Sequence, residues 1–510
     1  MMQDVIPTAV RAAFVFLLTG FMFAASCESG DPDLKINSVS PERVSARGGE
    51  TLIVKGRNFK SGVSLYLGDK PLEIVDSTAD VLTAITPVQT AGVYDVTVKV
   101  PAGASATMRD AVEVEPLALD FREAASHYLP NLGDVLITDV ATVDLNGDGA
   151  VDILLAISGG QSKFLLNDGA GGFSDTDPDP EEGPGLPVFI QDTRALVVAD
   201  FDGDGSPDIF GCSGSGEPNR LLLNDGAGRF HESDGLPPRV GSCIAAAAAD
   251  LDGDGLAEIV VIAAKEENDD VQFLRVYRNL GAPGNPLFEI DEDIEPWTVS
   301  DGEPVHSFSG DTFSSISAAD LDGDGAVDLV LTANDSPTGE FLRVLLNRRT
   351  VDDENSTVLR FVQQPVVSPP DPVTFSTPLD VESSGDMDLL LLTQGQNRVF
   401  INDGNAHFFD DTTAMLPVDR TDSRCAATGD LNLDGFTDVV IANYGQADRL
   451  YVGTAEGRML DFTPSLGLEP AHTRFAVILD ADGDGVLDIL TVNDGSPRLR
   501  LFISVWVNDG

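Results

Sequence analysis

Basic residues are scarce in this 510-residue chain: 31 Lys and Arg stand against 84 Asp and Glu, a formal net charge of −53 with His neutral. That excludes a nucleic-acid grip, which depends on Lys and Arg set against phosphates. Cations are what such a surface attracts. Cysteine is also scarce, at four residues, so disulfides are not the frame of a chain this long. The histidines, His127, His231, His306, His407 and His472, are scattered, and no nucleophile motif, phosphate loop or zinc spacing accompanies them. Catalysis therefore has little support. Apart from one N-terminal stretch, no segment approaches the roughly 18 uninterrupted apolar residues of a spanning helix. What is abundant is 50 Gly, 30 Pro and 42% hydrophobic residues. This is too apolar for a disordered acidic tail and too punctuated for long helices, so the expectation is a turn-rich globular chain.

The N-terminal stretch reads as an address. Ala12 to Ala25 is an apolar run between Arg11 and Ser26-Cys27-Glu28, the length of a secretory core segment, which makes residues 1–26 an export signal. Ala24-Ala25-Ser26 before Cys27 resembles a bacterial lipobox, which implies lipidation of Cys27; the alternative is a plain cleaved signal. The expected location is the outer membrane or cell surface of a bacterium, with membrane contact only through the lipid, or otherwise secretion. Residues 28–33 form a polar linker. Cys212, Cys243 and Cys425 then remain, an odd set. Either Cys212 and Cys243 bridge neighbouring repeats or all three are buried thiols.

From residue 34 to 116, short β-rich runs alternate with turn signals, including Thr51 to Val54, Ser64 to Leu67, Val81 to Ile85 and Val93 to Val100. A small sandwich is expected. Ile36-Asn-Ser-Val-Ser-Pro41, Gly48-Gly49, Val54-Lys-Gly-Arg-Asn-Phe59 and Gly92-Val-Tyr-Asp-Val96 resemble the immunoglobulin-like IPT/TIG domain. In that family the module is a spacer or docking unit.

Residues 117–510 repeat. Seven acidic loops begin at Asp144, Asp200, Asp250, Asp320, Asp380, Asp430 and Asp480, at intervals of 50 to 70 residues. Each unit has small apolar residues, the acidic loop, a Val/Ile/Leu run, a second apolar run ending near Asn-Asp-Gly, and an aromatic run. Four short strands per unit and seven units predict an all-β fold, a seven-bladed β-propeller preceded by the sandwich. After Val507 no aromatic fourth strand follows, whereas Leu119-Asp-Phe-Arg122 upstream matches the missing element. Residues 119–123 are expected to complete the last blade and remove its open edge.

The loops carry the chemistry. Asp144-Leu-Asn-Gly-Asp-Gly-Ala-Val-Asp152 places side-chain oxygens at positions 1, 3, 5 and 9, with Gly149 at position 6 allowing the turn. Hard oxygen donors in a flexible loop suit Ca²⁺ rather than Mg²⁺ or Zn²⁺. The expected ligands are Asp144, Asn146, Asp148 and Asp152; Asp200, Asp202, Asp204 and Asp208; Asp250, Asp252, Asp254 and Glu258; Asp320, Asp322, Asp324 and Asp328; Asp430, Asn432, Asp434 and Asp438; and Asp480, Asp482, Asp484 and Asp488. The fifth loop departs, with Asp380, Glu382, Ser384 and Asp388, and weak or absent binding is expected there. About six Ca²⁺ ions follow, as structural cofactors whose removal loosens the blades.

With these motifs, residues 117–510 resemble the FG-GAP/VCBS repeat family, the calcium-stabilised propeller also found in integrin α-chains. The resemblance implies adhesion or interaction, with partners on the face away from the calcium loops. Strand alternation points to the same end independently. Ligand-face candidates there are Trp297 and His306 in the long insert Asp291 to Asp311, and Tyr444 in the loop Asn443-Tyr-Gly-Gln446; the acidic stretch Asp175 to Pro187 reads as a solvated connector. The expectation is a monomeric, exported binding module for an extracellular protein or glycan. The rival is a polysaccharide lyase or hydrolase on the same propeller, which would need Lys, Arg, His or Tyr converging near a bound ion.

Overall fold

A computed structural model describes residues 34–504, apart from 60, 102, 125–127, 177–183, 188–191, 215–216, 238–241, 266–267, 282–283, 285, 291–294, 299–303, 306–307, 310, 352–356, 467–469 and 496–497. Cys27, residues 1–33, His127 and His306 lie outside the described residues. No helix among the described residues is long and apolar enough to cross a membrane.

The chain divides into two compact units at Glu115 and Pro116. The first is β throughout. Its alternating buried and exposed residues, as in Thr51–Arg57, place Leu52, Val54, Leu65, Leu67, Leu82, Val96 and Val98 inside, the pattern of sheets that bury one face. Ser64–Leu67 pairs with both Lys70–Ser77 and Gly92–Lys99, and the short Arg43–Ser45 lies parallel to the end of Ser105–Glu115.

The second unit is a β-propeller. Among its described residues, seven successive groups of four antiparallel strands can be followed, blades 1 to 7 in chain order; the third and fourth carry added strands, and the sixth and seventh are joined by pairing of Asp438–Gln446 with Ala471–Leu479. Blade 2 is representative: Thr193–Ala199, Asp208–Ser213, Arg220–Asn224 and Phe230–Glu232 pair in chain order. The second strands Asp152–Ile157, Asp208–Ser213, Asp388–Thr393 and Asp488–Asn493 are buried at every position, since both faces meet a neighbouring blade. First strands of successive blades lie side by side, and that of blade 7, Ala471–Leu479, lies beside that of blade 1, Ile137–Val143. Among the described residues the core of this unit is divided accordingly into seven clusters, each drawn from two adjacent blades. Between blades 3 and 4, for example, Leu251, Val260 and Val276 pack with Phe313, Leu329, Leu345 and Phe361.

Leu499–Ser504, the third strand of blade 7, pairs antiparallel with Phe121–Glu123, setting Ile503 opposite Arg122. Arg500 donates from Nε and Nη2 to the two carboxylate oxygens of Glu123, each at 2.8 Å. Cys212 in blade 2 and Cys243 in blade 3 form a disulfide, leaving Cys425 as a thiol whose pKa burial pushes up to about 11.

Three readings of the sequence are corrected. Tyr444 is not in a loop: Asp438–Gln446 continues as strand, because Tyr444 and Gln446 find backbone partners in His472 and Ala471 of the next blade. Trp297 lies in Glu295–Thr298, which runs parallel to Arg360–Gln364 and so extends the outer edge of blade 4 instead of projecting from an end loop. The stretch Asp175 to Pro187 is not only a solvated connector. Leu186 is buried between blades 1 and 2, and Gly185 exchanges backbone hydrogen bonds with Gly228 and Phe230.

Candidate metal centres

Every acidic loop joins the first strand of a blade to its second, so all seven lie at one end of the propeller. Position 1 makes the turn. Asp200 Oδ1 accepts the Gly203 N–H at 2.7 Å and its Oδ2 accepts that of Gly205 at 2.9 Å, and Asp144, Asp250, Asp320 and Asp480 repeat this pair. Position 6 is Gly at φ +82° to +94° in all seven loops, a conformation other residues resist. Position 5 in turn accepts the N–H of position 7, as Asp204 does from Ser206 at 2.7 Å.

Position 9 has a different task. Asp208 is fully buried, and its two oxygens accept the backbone N–H of Phe201 at position 2 (2.9 Å) and of Asn224 at the end of the third strand (2.8 Å). The same brace recurs at Asp152, Glu258, Asp328, Asp388, Asp438 and Asp488. Burial pushes these acids up, to about 7 for Asp208, Glu258, Asp328, Asp438 and Asp488 and about 6 for Asp152 and Asp388. The two backbone donors pull the other way, and the loop's other acids push further up.

The expected ligands converge unevenly. Asp200, Asp202 and Asp208 each place an oxygen within 4.8 Å of the others, as do Asp250, Asp252 and Asp254, then Asp320, Asp322 and Asp328, and Asp480, Asp482 and Asp484. These clusters can hold a metal ion. In the first and sixth loops Asn146 and Asn432 spend their amides on Asp148 and Asp434, each at 2.9 Å, so two acids at most share the centre with the brace. In the fifth, Glu382 and Ser384 are exposed, while Asp380 and Asp388 keep only the turn and the brace. The donor set is entirely oxygen, and Asp322 Oδ1 is buried without a hydrogen-bond partner. Such an oxygen is costly to bury ionised unless a cation meets it. On that observation the residues fit a hard divalent ion.

One recurring residue escapes a search for ligands. Asn224 Nδ2 donates to Pro207 O in its own loop (3.0 Å) and to Leu145 O in the loop of blade 1 (2.8 Å). Asn167, Asn279, Asn347 and Asn402 do the same, each reaching position 2 of the preceding loop, with Asn167 reaching Ala481 across the closure. The signal was the Asn of the repeated Asn-Asp-Gly; its partner one blade away was not visible.

At the opposite end, about 20 Å along the strand from Asp438 at 3.3 Å per residue, Tyr444 stacks on His472 with ring centres 4.6 Å apart, and the Arg424 guanidinium lies 5.1 Å from the Tyr444 ring centre. Arg424 Nη2 donates to Asp422 Oδ2 at 2.8 Å, and Gln446 accepts the Asp422 N–H at 2.7 Å. Arg424 is the extra residue of a bulge that every first strand carries near its start. In blades 1, 4 and 5 that residue is Thr138, Ser314 or Thr374, bonded to the next blade; in blades 2, 6 and 7 it is Arg194, Arg424 or Arg474. His231 lies in the fourth strand of blade 2, and His407 pairs with Asp403 at 3.1 Å on the exposed surface.

The FG-GAP-like repeat family matches residues 144–211, 200–261, 380–441 and 430–491, and the IPT/TIG domain matches residues 34–111. No curated protein matches the chain. Among solved structures, a lectin of Agrocybe aegerita described for recognition of non-reducing terminal N-acetylglucosamine is 18% identical, covering 72% of this chain and 93% of its own, with a TM-score of 0.46. Auxiliary nutrient binding proteins of Bacteroides thetaiotaomicron and Bacteroides ovatus are each 11% identical over 93% of this chain and 98% of theirs, with TM-scores of 0.35 and 0.38. Likeness of this degree decides nothing about what this chain binds.

Proposed function

We propose that this chain, which carries an IPT/TIG domain followed by FG-GAP-like repeats, is an exported binding module that uses Ca²⁺ to set one end of its propeller and meets an extracellular protein or glycan with the other. The observation that carries the reading is the division of labour between the ends. The acidic loops are closed in on themselves by backbone donors, whereas Tyr444, His472, Arg424 and Gln446 bring aromatic and hydrogen-bonding groups together at the far end, with His472 and Gln446 exposed. Aromatic rings beside planar polar groups are the usual anchors of recognition. Asp144, Asp200, Asp250, Asp320, Asp430 and Asp480 and their loop partners are the proposed Ca²⁺ ligands, whose hard oxygens and flexible loops suit that ion. Cys27 is the proposed lipid anchor.

A second reading keeps a place because Tyr, His and Arg, the types a polysaccharide lyase needs, meet at Tyr444, His472 and Arg424. They meet at the end away from the acidic loops, which favours binding over metal-assisted chemistry. A glycan array and a surface-protein pull-down with the intact protein and with Tyr444→Ala/His472→Ala test the proposal. Loss of the captured ligand in the double variant is the expected result; capture unchanged by it, or release of unsaturated sugars from acidic polysaccharides, refutes the binding reading.

A further inference from the structure

The acidic loops of blades 3 and 4 are met by arginines of the protein itself. In blade 3, Arg278 directs Nε (3.0 Å) and Nη2 (2.7 Å) at Asp252 Oδ2. In blade 4, Arg348 donates from Nη2 to Asp322 Oδ2 and from Nη1 to Asp324 Oδ2 at 2.8 Å. Arg349 reaches back from blade 4 to the carbonyl of Leu251 at 3.2 Å and lies so close to Gly253 that a Cβ there would come within 2.6 Å of Nη1. These arginines flank the recurring Asn on either side: Arg278 precedes Asn279, and Arg348 follows Asn347. Blade 2 has Leu223 and Asp225 in the corresponding places around Asn224.

The carboxylates concerned are not surface groups, for the side chains of Asp252 and Asp322 are 5% and 9% exposed. Both stand at position 3 of clusters whose oxygens lie within 4.8 Å of one another. A guanidinium is always charged and keeps its geometry. Fixed on a position-3 carboxylate, it offsets the repulsion among the loop's acids when no metal is present. It also repels an entering divalent cation and withdraws one oxygen from it. Asp322 shows both halves of this arrangement, with Oδ2 on Arg348 and Oδ1 buried and unpartnered.

We propose that Arg278 and Arg348 are built-in counter-cations, which make the loops of blades 3 and 4 weaker divalent-cation sites than the loop of blade 2 and keep them in shape when the cation is scarce. The inference rests on the reading that the loops take a divalent cation. Its consequence is a graded response, in which one sector of the ring stays ordered while blade 2 gains and loses its ion.

The test is a calorimetric titration of the chelated full-length protein with CaCl₂, alongside its Tm with and without chelator, for the wild type, Arg278→Gln/Arg348→Gln and Arg278→Lys/Arg348→Lys. In the Gln variant two sites are expected to tighten by about tenfold or more, because a unit charge a few ångströms from a divalent ion opposes it by at least that factor even at the dielectric of water. The Tm of the chelated Gln variant should fall below that of the chelated wild type, and the difference should shrink with calcium. The Lys variant should titrate as the wild type does. An unchanged isotherm and chelated Tm in the Gln variant overturn the proposal, as does a Lys variant that behaves like Gln. A wild type that takes up no calcium overturns the calcium reading itself, a separate result. Arg348 is 38% exposed, so Arg348→Gln alone carries the test if the double variant does not fold.

Discussion

Asn347 combines contacts that few other side chains could. Its amide donates to Leu251 O in blade 3 and Val327 O in blade 4, at 2.8 and 3.2 Å, while its oxygen accepts the Arg349 N–H at 3.2 Å. Asn347→Ala leaves the Leu251 carbonyl to Arg349 alone and takes the side-chain donor from the half-buried Val327 carbonyl, and is expected to cost about 1 to 2 kcal/mol, the usual penalty for such groups; denaturant unfolding measures it, and a loss under 0.5 kcal/mol would contradict the role. The sixth blade has Gly453 instead, where a Cβ would come within 2.4 Å of Thr437 O, so that junction does without the bond. The periodic Asn could be read from the sequence, as could the acids at positions 1, 3, 5 and 9. Their separate tasks could not: position 9 looks like one more ligand until its two backbone donors are seen. Arg278 and Arg348 likewise look like ordinary strand-end residues until folding sets them against acids 26 positions earlier in the chain.

Among the elements, the pairing of Phe121–Glu123 with Leu499–Ser504 joins the two ends of the propeller unit. Phe121 is buried with Phe502, Ile489, Val440 and Leu450, in the cluster between blades 6 and 7. Phe121→Ala should cost about 3 kcal/mol through lost burial and the cavity left behind. Deleting residues 117–123 should do more, exposing the edge of Leu499–Ser504 and driving concentration-dependent association visible by light scattering; a monomeric, fully stable deletion would show the closure to be dispensable. Strands whose apolar runs and turns were local, such as Ser64–Leu67 and Val81–Ile85, could be read directly from the sequence. Tyr444 and Trp297 were misplaced because their strands exist only through partners in another segment. Leu186 was missed because one apolar residue in a Pro/Gly stretch carries no periodicity.

For the whole molecule, seven braces act together on pH dependence. Each of these acids titrates near 6 or 7 when folded, against an ordinary value of 3.8 for Asp and 4.5 for Glu, because it is buried. The folded state therefore holds more protons than the unfolded state between about pH 4 and 7, and its stability falls as pH rises through that window. Asp139 and Asp448, raised by burial to about 6, act in the same direction. Glu123, held low by its hydrogen bonds from Arg500, acts oppositely, its contribution fading as pH falls toward and below 4. A bound divalent cation favours the ionised acids and should flatten or reverse the decline. The expected outcome is a Tm that drops from pH 4.5 to 7.5 in chelator and drops less, or rises, in calcium; parallel profiles would count against cation binding at these loops.

Residue order alone determined the class of fold, the repeat and the acidic turns, because strand alternation, glycine at position 6 and evenly spaced acids act over a few residues and leave a local trace. Only the tertiary structure decided which acids meet as a cluster, which serve as braces, where arginine replaces an outside cation and which groups share the far end. Those outcomes depend on distances between blades, and a chain that closes into a ring brings together residues whose separation in sequence carries no record of their contact.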